Sequence, residues 1–536
     1  MPISSFAMIS RLSSLATLVT PVLLAHLVDA RRGGLTGLTV ASRLTEDPKA
    51  EVLVIEAGRD DRKDRRIYDM FSTLSAIYTR GHAAQYDAWS DLLTTDEQNL
   101  NWNWDSIFKY MKKSEGFSAP DSNQTSRGAQ YVASYHGKSG PLQVSFPKPM
   151  FGGPQQPAFV ETIKSTHNVS LCPDLNGGDP TCASFIPLTI DPRRNNSRSS
   201  SAEAYLTPVE KKRDGWTILV QQQVTKILFK NGTSPALATG VQFGRNDGSR
   251  YTVYAKKEVI LAAVSHDTAV VGVGDTSKLS ELGIRTIVDL PTVGKNLQEQ
   301  TMNSFGAEGN GFDLWGSYEN VVSQIYANIA TWAQSQADSG GSATALEKVF
   351  RIQADLITKK NVPTTEISFK TGSVDDLGIN MWTLLPFSRG NLHINSTDPF
   401  AKPRITINYF SVDFDLQCQI AGARMARKIL GGSPMSSISV GETIPGNVSV
   451  PDDGSGGSDA DWAKWIKANF GSVAHPVGTC AMMSRDLGGC VDGRLIVYGT
   501  KNVRVVDASA MPTQVSAHLS STLYAFAEKA ADLIKG

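Results

Sequence analysis

Two neighbouring stretches, Gly33-Gly34-Leu35-Thr36-Gly37 and Glu51-Val52-Leu53-Val54-Ile55-Glu56, decide the fold class of this 536-residue chain. The residues from Leu38 to Leu44 have helical spacing, and the second stretch has the continuous apolar run of a buried parallel strand. Glycines before a helix let backbone N–H groups approach a pyrophosphate, and an acid that ends the next strand accepts the ribose hydroxyls. The pattern therefore predicts an α/β, Rossmann-like dinucleotide site with Gly34, Gly37 and Glu56 as binding residues.

The residues before this pattern depart from it. Arg32 occupies the position of the first glycine, where a side chain disturbs the tight turn. The preceding strand has to come from Leu23–Ala30, but the apolar stretch that follows Arg11 also has the composition of a secretory signal peptide. One segment cannot serve both purposes, so residues 1–30 are either a cleaved leader or an altered first strand.

Acceptor sites for N-glycosylation favour the leader. Six Asn-x-Ser/Thr triplets are present, at Asn123, Asn168, Asn195, Asn231, Asn395 and Asn447. They predict a secreted glycoprotein, with a cytoplasmic protein as the alternative because a long chain contains such triplets by chance.

Composition excludes several classes of function. Lys+Arg and Asp+Glu are both 52, and a chain without basic excess is not expected to bind nucleic acid. After the N-terminus no apolar run is long enough for an integral membrane span. The five cysteines lack metal-ligand spacing, so no metal site is predicted. Cys172 and Cys182 bracket a turn and are either a disulfide or two reduced thiols.

Further strands are predicted later in the chain. Leu219–Phe229, Glu258–Ala263 and Asn502–Asp507 have the composition of strands in the same α/β unit. Alternating patterns at Gly390–Asn395 and Arg404–Tyr409 favour a mainly antiparallel sheet within residues 301–470. A helical run, Leu416–Leu430, flanks it.

The C-terminal region contains the most specific motifs. These are Ala474-His475-Pro476-Val477-Gly478-Thr479-Cys480, Val503–Ser509 and Met511–His518, which precedes a predicted terminal helix at Leu519–Ile534. With the blocks Thr79–Trp89, Trp104–Glu115, Arg198–Leu206 and Pro291–Leu297, they resemble the glucose–methanol–choline (GMC) oxidoreductase family. The resemblance is strongest to fungal glucose oxidase-like, aryl-alcohol oxidase-like and versicolorin B synthase-like members, and it extends from Gly33 to Ile534.

The resemblance implies a discontinuous FAD-binding domain, residues 31–300 completed by 471–536, and an α+β substrate-binding domain with an antiparallel sheet, residues 301–470. It places the backbone of Val224 at the adenine, and Asp507 and Ala508 at the ribityl and pyrophosphate part of FAD. The residues alone also fit a core valine and a turn-forming aspartate that ends a strand.

In this family the histidine that matches His475 is the base near the flavin, and His518 matches its partner. Alcohol oxidation needs a group that takes the hydroxyl proton while hydride leaves carbon, and histidine titrates near working pH. Gly478 is expected to let the backbone approach the cofactor. Without the resemblance, the residues alone favour a core histidine that is hydrogen-bonded to a backbone carbonyl.

The leading hypothesis is an FAD-dependent enzyme that oxidises a small-molecule alcohol, in fungal secondary metabolism. Two alternatives remain: a non-redox cyclase or dehydratase of the versicolorin B synthase type, acting on a polyketide-like substrate, and a degenerate, inactive member. Arg32, a shortened segment at Arg59–Thr79 and an altered second signature at Ala263–Gly274 depart from the family pattern. These departures predict weakened FAD retention.

Overall fold

A computed structural model describes residues 19–25, 34–68, 76–150, 153–167, 169–262, 272–306, 318–373, 376–439, 441–452 and 454–536. The helices are α1 (Leu35–Leu44), α2 (Arg65–Tyr68), α3 (Ala83–Asp91), α4 (Trp104–Ser114), α5 (Ser122–Ser126), α6 (Gln155–His167), α7 (Thr276–Glu281), α8 (Tyr318–Ser335), α9 (Ala337–Gly340), α10 (Ala343–Lys359), α11 (Asp413–Gly431), α12 (Asp459–Asn469) and α13 (Ser520–Lys535). The strands are β1 (Val19–Ala25), β2 (Val52–Glu56), β3 (Glu115–Phe117), β4 (Leu142–Val144), β5 (Ile190–Asp191), β6 (Ser197–Arg198), β7 (Trp216–Val220), β8 (Gln223–Phe229), β9 (Ala238–Gly244), β10 (Arg250–Leu261), β11 (Val273–Gly274), β12 (Val288–Asp289), β13 (Thr301–Gly306), β14 (Thr365–Ser373), β15 (Asp376–Thr383), β16 (Asn391–His393), β17 (Arg404–Thr406), β18 (Gly471–Ser472) and β19 (Val503–Val505).

The largest sheet contains the predicted dinucleotide strand. Its order is β7-β2-β1-β10-β9-β8, with β19 also paired to β10. Strands β7, β2, β1, β10 and β19 run parallel, whereas β8 and β9 add an antiparallel edge. All five residues of β2 are buried, which explains the continuous apolar run. Helices α1 and α13 pack against each other, and both contribute to the core that contains β2.

The N-terminal segment forms a strand in this structure. Val22 pairs with Val52 on one side and with Glu258 on the other, so β1 lies between β2 and β10. The strand lies several residues earlier than the predicted Leu23–Ala30. Cleavage after Ala25 or Ala30 would remove it from the middle of the sheet. Arg32 and residues 26–33 lie outside the described part of the chain.

The strands predicted later in the chain are present, with one correction. Leu219–Phe229 is not one strand but two, β7 and β8, because Gln221 takes a positive φ of 56°. At this bend Gln221 donates its N–H to the carbonyl of Gly58, and Gln222 donates to that of Glu56. The chain therefore turns around the carboxyl end of β2. Strand β19 falls within the predicted Asn502–Asp507. Strand β10 overlaps the predicted Glu258–Ala263 only at its end, because it already begins at Arg250.

A second sheet has the order β14-β15-β13-β18 and is antiparallel, as predicted for the central region. The predicted helical run is α11, and its apolar side packs with Ile379 and Met381 of β15. The two alternating patterns on which the prediction rested are not part of this sheet. They contain β16 and β17, which pair only with each other.

Two disulfides are present among the described residues. Cys172 and Cys182 are bonded, which decides between the two alternatives for that turn. Cys480 and Cys490 form a second, fully buried disulfide that was not predicted, and Cys418 is a buried free thiol. Within the described ranges, no helix is long and apolar enough to cross a membrane.

Candidate active site

His475 is held by hydrogen bonds from three directions. Its backbone N–H donates to Glu299 Oε1 at 3.0 Å, and its carbonyl accepts from Gln514 Nε2 at 2.6 Å. The ring Nδ1 lies 2.8 Å from Gln300 Oε1. Both the backbone and one ring nitrogen are thus fixed, while Nε2 is the nitrogen left for chemistry.

His518 lies two residues before α13. Its backbone N–H donates to Thr79 Oγ1 at 2.9 Å, which ties the terminal block to the Thr79–Trp89 block. The ring packs edge-to-face on Trp382 at 5.3 Å, and its Nε2 lies 3.3 Å from Glu366 Oε1. Glu366 Oε2 in turn accepts from the indole N–H of Trp382 at 3.2 Å.

The structure brings the two predicted histidines together. Their rings are perpendicular, with centroids 5.2 Å apart. Burial, and then the nearby His518, lower the pKa of His475 to about 3. The His475 ring is therefore neutral at ordinary pH, which is the state that a proton acceptor requires.

Backbone pairing joins the two family blocks around this pair. Gly478, Cys480 and Met482 donate their N–H groups to the carbonyls of Ala508, Ser509 and Ala510. Gly478 has φ +88°, and a Cβ there would lie 2.7 Å from the carbonyl oxygen of Asn296. That this glycine lets the backbone approach the cofactor stays a prediction. The described contacts that require glycine here come from the chain itself.

Gly34 and Glu56 meet at the carboxyl end of β2. Gly34 is the N-cap of α1 and has no side-chain cap, so the helix end presents backbone N–H groups. Glu56 is 4% exposed and accepts hydrogen bonds from the backbone of Gly58, at 2.6 Å, and of Gly34. Burial raises the pKa of Glu56 to about 7. Gly37 lies buried in α1.

The other predicted cofactor residues lie at related positions. Asp507 follows β19, and its Oδ1 accepts the N–H of Ser509 at 2.8 Å, one residue beyond Ala508. Because β2 and β19 run in the same direction, Glu56 and Asp507 lie at the same edge of the sheet. Val224, 2% exposed, follows the bend around β2 by two residues. The structure thus gathers Gly34, Glu56, Val224, Asp507 and Ala508 along one edge.

Buried polar atoms near the histidines are suited to hold a cofactor or substrate. Among the described residues, Thr479 Oγ1, Gln514 Oε1 and Gln85 Nε2 are buried and have no hydrogen-bond partner. A buried polar atom without a hydrogen-bond partner destabilises the folded protein unless a ligand or a water molecule supplies the partner. Together with the uncapped start of α1 and the acid at the end of β2, they fit a bound dinucleotide.

Comparison with known proteins decides the family. Residues 74–302 and 386–527 match the N- and C-terminal models of the GMC oxidoreductases. The glucose oxidase-like protein fsoC of Humicola fuscoatra is 34% identical over 94% of this chain and 94% of its own length. The chain belongs to the GMC oxidoreductase family.

Solved structures agree with this assignment. An FAD-dependent oxidoreductase from Chaetomium thermophilum superposes with a TM-score of 0.80 at 27% identity, over 96% of this chain and 99% of that one. A fungal aryl-alcohol oxidase gives a TM-score of 0.82 at 25% identity, over 96% and 98%. This GMC oxidoreductase is an FAD-dependent enzyme of alcohol oxidation, which confirms the predicted fold class, cofactor and reaction.

Sequence reasoning missed several residues of the site. Gln300 lies three residues beyond the recognised block Pro291–Leu297. Glu366 lies in a strand without any motif, so no local signal identifies it. The departures at Arg32, in residues 69–75 and in residues 263–271 lie outside the described part of the chain. Weakened FAD retention therefore stays a prediction.

Replacement of Glu56 tests whether the carboxyl end of β2 binds the dinucleotide. We expect Glu56→Gln to weaken FAD binding about 10- to 100-fold, because hydrogen bonds to a charged acceptor contribute about 1.5–3 kcal/mol. A carboxyl whose pKa is raised from 4.5 to about 7 stabilises the fold below pH 4.5 and loses this contribution as the pH rises through 7. The FAD-free variant should lack that component of the pH dependence.

The measurements are flavin fluorescence quenching for affinity and thermal unfolding of the stripped protein between pH 5 and 8. Glu51→Gln is the matched control, since Glu51 lies exposed before the same strand. Equal FAD affinity in both variants would mean that Glu56 does not contact the cofactor.

Proposed function

We propose that His475 is the general base of this oxidoreductase and that it removes the hydroxyl proton of the alcohol substrate. The observation that carries the proposal is the neutral, partly buried ring of His475, bonded at Nδ1 and facing His518. FAD, when bound, accepts the hydride that leaves the substrate carbon. His475 Nε2 takes the proton, so that alkoxide character develops on the substrate oxygen as the C–H bond breaks.

His518 is the partner that orients the substrate oxygen. Its ring position is set by Trp382, by Glu366 and by the backbone bond to Thr79.

The residues proposed to hold FAD are Gly34, Gly37, Glu56, Val224, Asp507 and Ala508. We also propose the division into a cofactor domain, residues 31–300 with 471–536, and a substrate domain, residues 301–470. The first sheet lies within the cofactor domain, apart from β1. The second sheet lies within the substrate domain, apart from β18, which belongs to the cofactor domain.

The direct test is the spectrum of the purified protein during turnover. Flavin absorption should bleach when an alcohol is added without oxygen, and it should return when oxygen or an artificial electron acceptor is admitted. Glucose, and primary aryl alcohols, represent the substrates named for the relatives. Conversion of a polyketide-like substrate without any electron acceptor would instead support the cyclase alternative, which no observation in the structure favours.

Replacement of His518 should cost less than replacement of His475. His518→Asn retains a hydrogen-bond donor for the substrate oxygen, so we expect a loss of about tenfold in kcat, against a larger loss at the base. Steady-state kinetics of both variants on one alcohol decide the order. A greater loss in His518→Asn would exchange the two roles.

We propose that the protein enters the secretory pathway. Two disulfides, Cys172–Cys182 and Cys480–Cys490, support an oxidising compartment. Since β1 begins at Val19, secretion leaves the sheet intact only if any cleavage precedes that residue. N-terminal sequencing of exported protein tests this proposal, and a first residue beyond Ala25 would contradict the retention of β1. A role in secondary metabolism stays a prediction.

A further inference from the structure

We propose that Gln300 is a positioning residue that fixes the tautomer of His475, with the proton on Nδ1 and with Nε2 bare. The inference rests on the proposed role of His475 as base. It adds that the choice of reactive nitrogen is made by a neutral amide. No charged side chain among the described residues is hydrogen-bonded to that ring.

The orientation of the Gln300 side chain is determined by its other partners. Gln300 is fully buried, and its Nε2 donates to the carbonyl of Leu384 at 3.0 Å and to that of Val515 at 3.4 Å. Carbonyl oxygens only accept hydrogen bonds, so the amide nitrogen must be the atom that faces them. The amide oxygen must then be the atom that faces His475.

The tautomer follows from this orientation. Gln300 Oε1 is an acceptor only, and it lies 2.8 Å from His475 Nδ1, so Nδ1 must carry a hydrogen. A neutral imidazole has one N–H, which leaves Nε2 as the acceptor. A histidine with the opposite tautomer would leave two lone pairs facing each other and would present an N–H to the substrate hydroxyl.

The carboxylate of Glu299 is bonded to both residues and fixes Gln300 relative to His475. Glu299 Oε1 accepts the backbone N–H of His475 at 3.0 Å and the backbone N–H of Gln300 at 2.8 Å. Glu299 Oε2 accepts from Ser472 Oγ at 3.0 Å. The carboxylate thus ties the loop of His475 to the segment that precedes β13 and contains Gln300, and the ring bond is held by backbone on both sides.

The uncharged amide of Gln300 is a suitable partner for a histidine that acts as a base. Among the described residues, the titratable groups near the His475 ring are His518, at 5.2 Å between centroids, Glu299 at its backbone, and Glu366 beyond His518. A carboxylate at Nδ1 would stabilise the protonated ring and keep the base occupied at higher pH. An amide selects the tautomer without that charge, so the ring stays neutral until it takes the substrate proton.

The primary measurement is the tautomer itself, by ¹⁵N NMR of protein labelled at its eight histidines. His475→Asn assigns the signal by its absence. In the wild-type enzyme, with and without FAD, we expect a protonated Nδ1 and an unprotonated Nε2. In Gln300→Met the signal should shift to a mixture or to the opposite tautomer, and kcat should fall about 10- to 100-fold while KM changes little.

Gln353→Met is the matched structural control. Gln353 is also buried, and its amide donates to the carbonyls of Leu385 and Pro386 in the same loop, but it makes no bond to His475. We expect a comparable loss of stability with an unchanged tautomer. The rescue variant is Gln300→Glu, which should keep Nδ1–H and move the acidic limb of the kcat/KM profile to higher pH.

A wild-type ring with its proton on Nε2 would overturn the proposal, even if the Gln300 variants fail to fold. So would Gln300→Met with the wild-type tautomer and the wild-type kcat. Failure of the underlying function is distinguishable, because it appears as full turnover in His475→Asn whatever the state of the tautomer.

Discussion

His475→Asn should reduce kcat by about 10²- to 10⁴-fold, the usual effect of removing a general base. Asparagine has no nitrogen that accepts a proton at ordinary pH, although its amide N–H can still donate to Gln300. The loss should appear equally in kcat and kcat/KM, since the base acts in the transition state. Steady-state assays and anaerobic rates of flavin bleaching are the measurements.

His393→Asn is a suitable control for this replacement. His393 lies in β16, and partial burial lowers its pKa to about 4, so it is also a partly buried, neutral histidine, but it has no contact with the pair. Turnover should be unchanged in that variant. Wild-type turnover in His475→Asn would end the assignment of His475 as base.

Arg80→Met should destabilise the protein by about 3–5 kcal/mol, as expected when one partner of a buried ion pair is removed. Arg80 and Glu115 are both fully buried, with Nη2 and Oε2 2.9 Å apart. Glu115 Oε1 lies 2.8 Å from His136 Nδ1, and His136 Nε2 lies 2.7 Å from Asp174 Oδ2. Without Arg80, His136 is the one cationic side chain among the described residues that contacts Glu115 and Asp174.

This loss should grow with pH. Burial acts to lower the pKa of His136, but Asp174 and Glu115 outweigh it and raise the pKa above 6.5. The stabilisation by protonated His136 is complete below pH 6.5 and is lost as the pH rises through the folded-state value. Thermal unfolding of Arg80→Met and of the wild type at pH 6 and pH 8 measures the effect.

Arg193→Met gives the comparison for an exposed pair. Arg193 contacts Asp191 at 3.0 Å, but its side chain is 69% exposed, so we expect a loss below about 1 kcal/mol. Equal losses in the two variants would show that the buried network contributes no more than a surface ion pair.

The sheet edge that we propose binds FAD was predictable from sequence because its signals are local. Gly34, Gly37 and Glu56 lie in one turn–helix–strand pattern, and the continuous apolar run of β2 reflects burial on both faces. The histidines were found only through the blocks that surround them, since a histidine by itself has no periodic signature. The distance of 5.2 Å between the ring centroids of His475 and His518 depends on the backbone pairing of residues 478–482 with 508–510.

The remaining parts of the site depend on contacts between distant segments. Gln300 and Glu366 act on the histidine rings from another loop and another sheet, so their roles follow from packing that no local pattern records. The antiparallel sheet was assigned to alternating residues that form the separate pair β16–β17. Short alternating runs predict a strand, but they do not predict its partner.

The pairing of β19 with β10 has a consequence for synthesis of the protein. Val259 lies opposite Val503, so the sheet that contains Glu56 is not complete until β19 has also left the ribosome. Contacts between such distant segments slow folding, because the loop must close before the contact stabilises anything. The edge that we propose binds FAD therefore forms only after β19 has been synthesised, and a chain truncated before β19 would expose an unpaired side of β10 to aggregation.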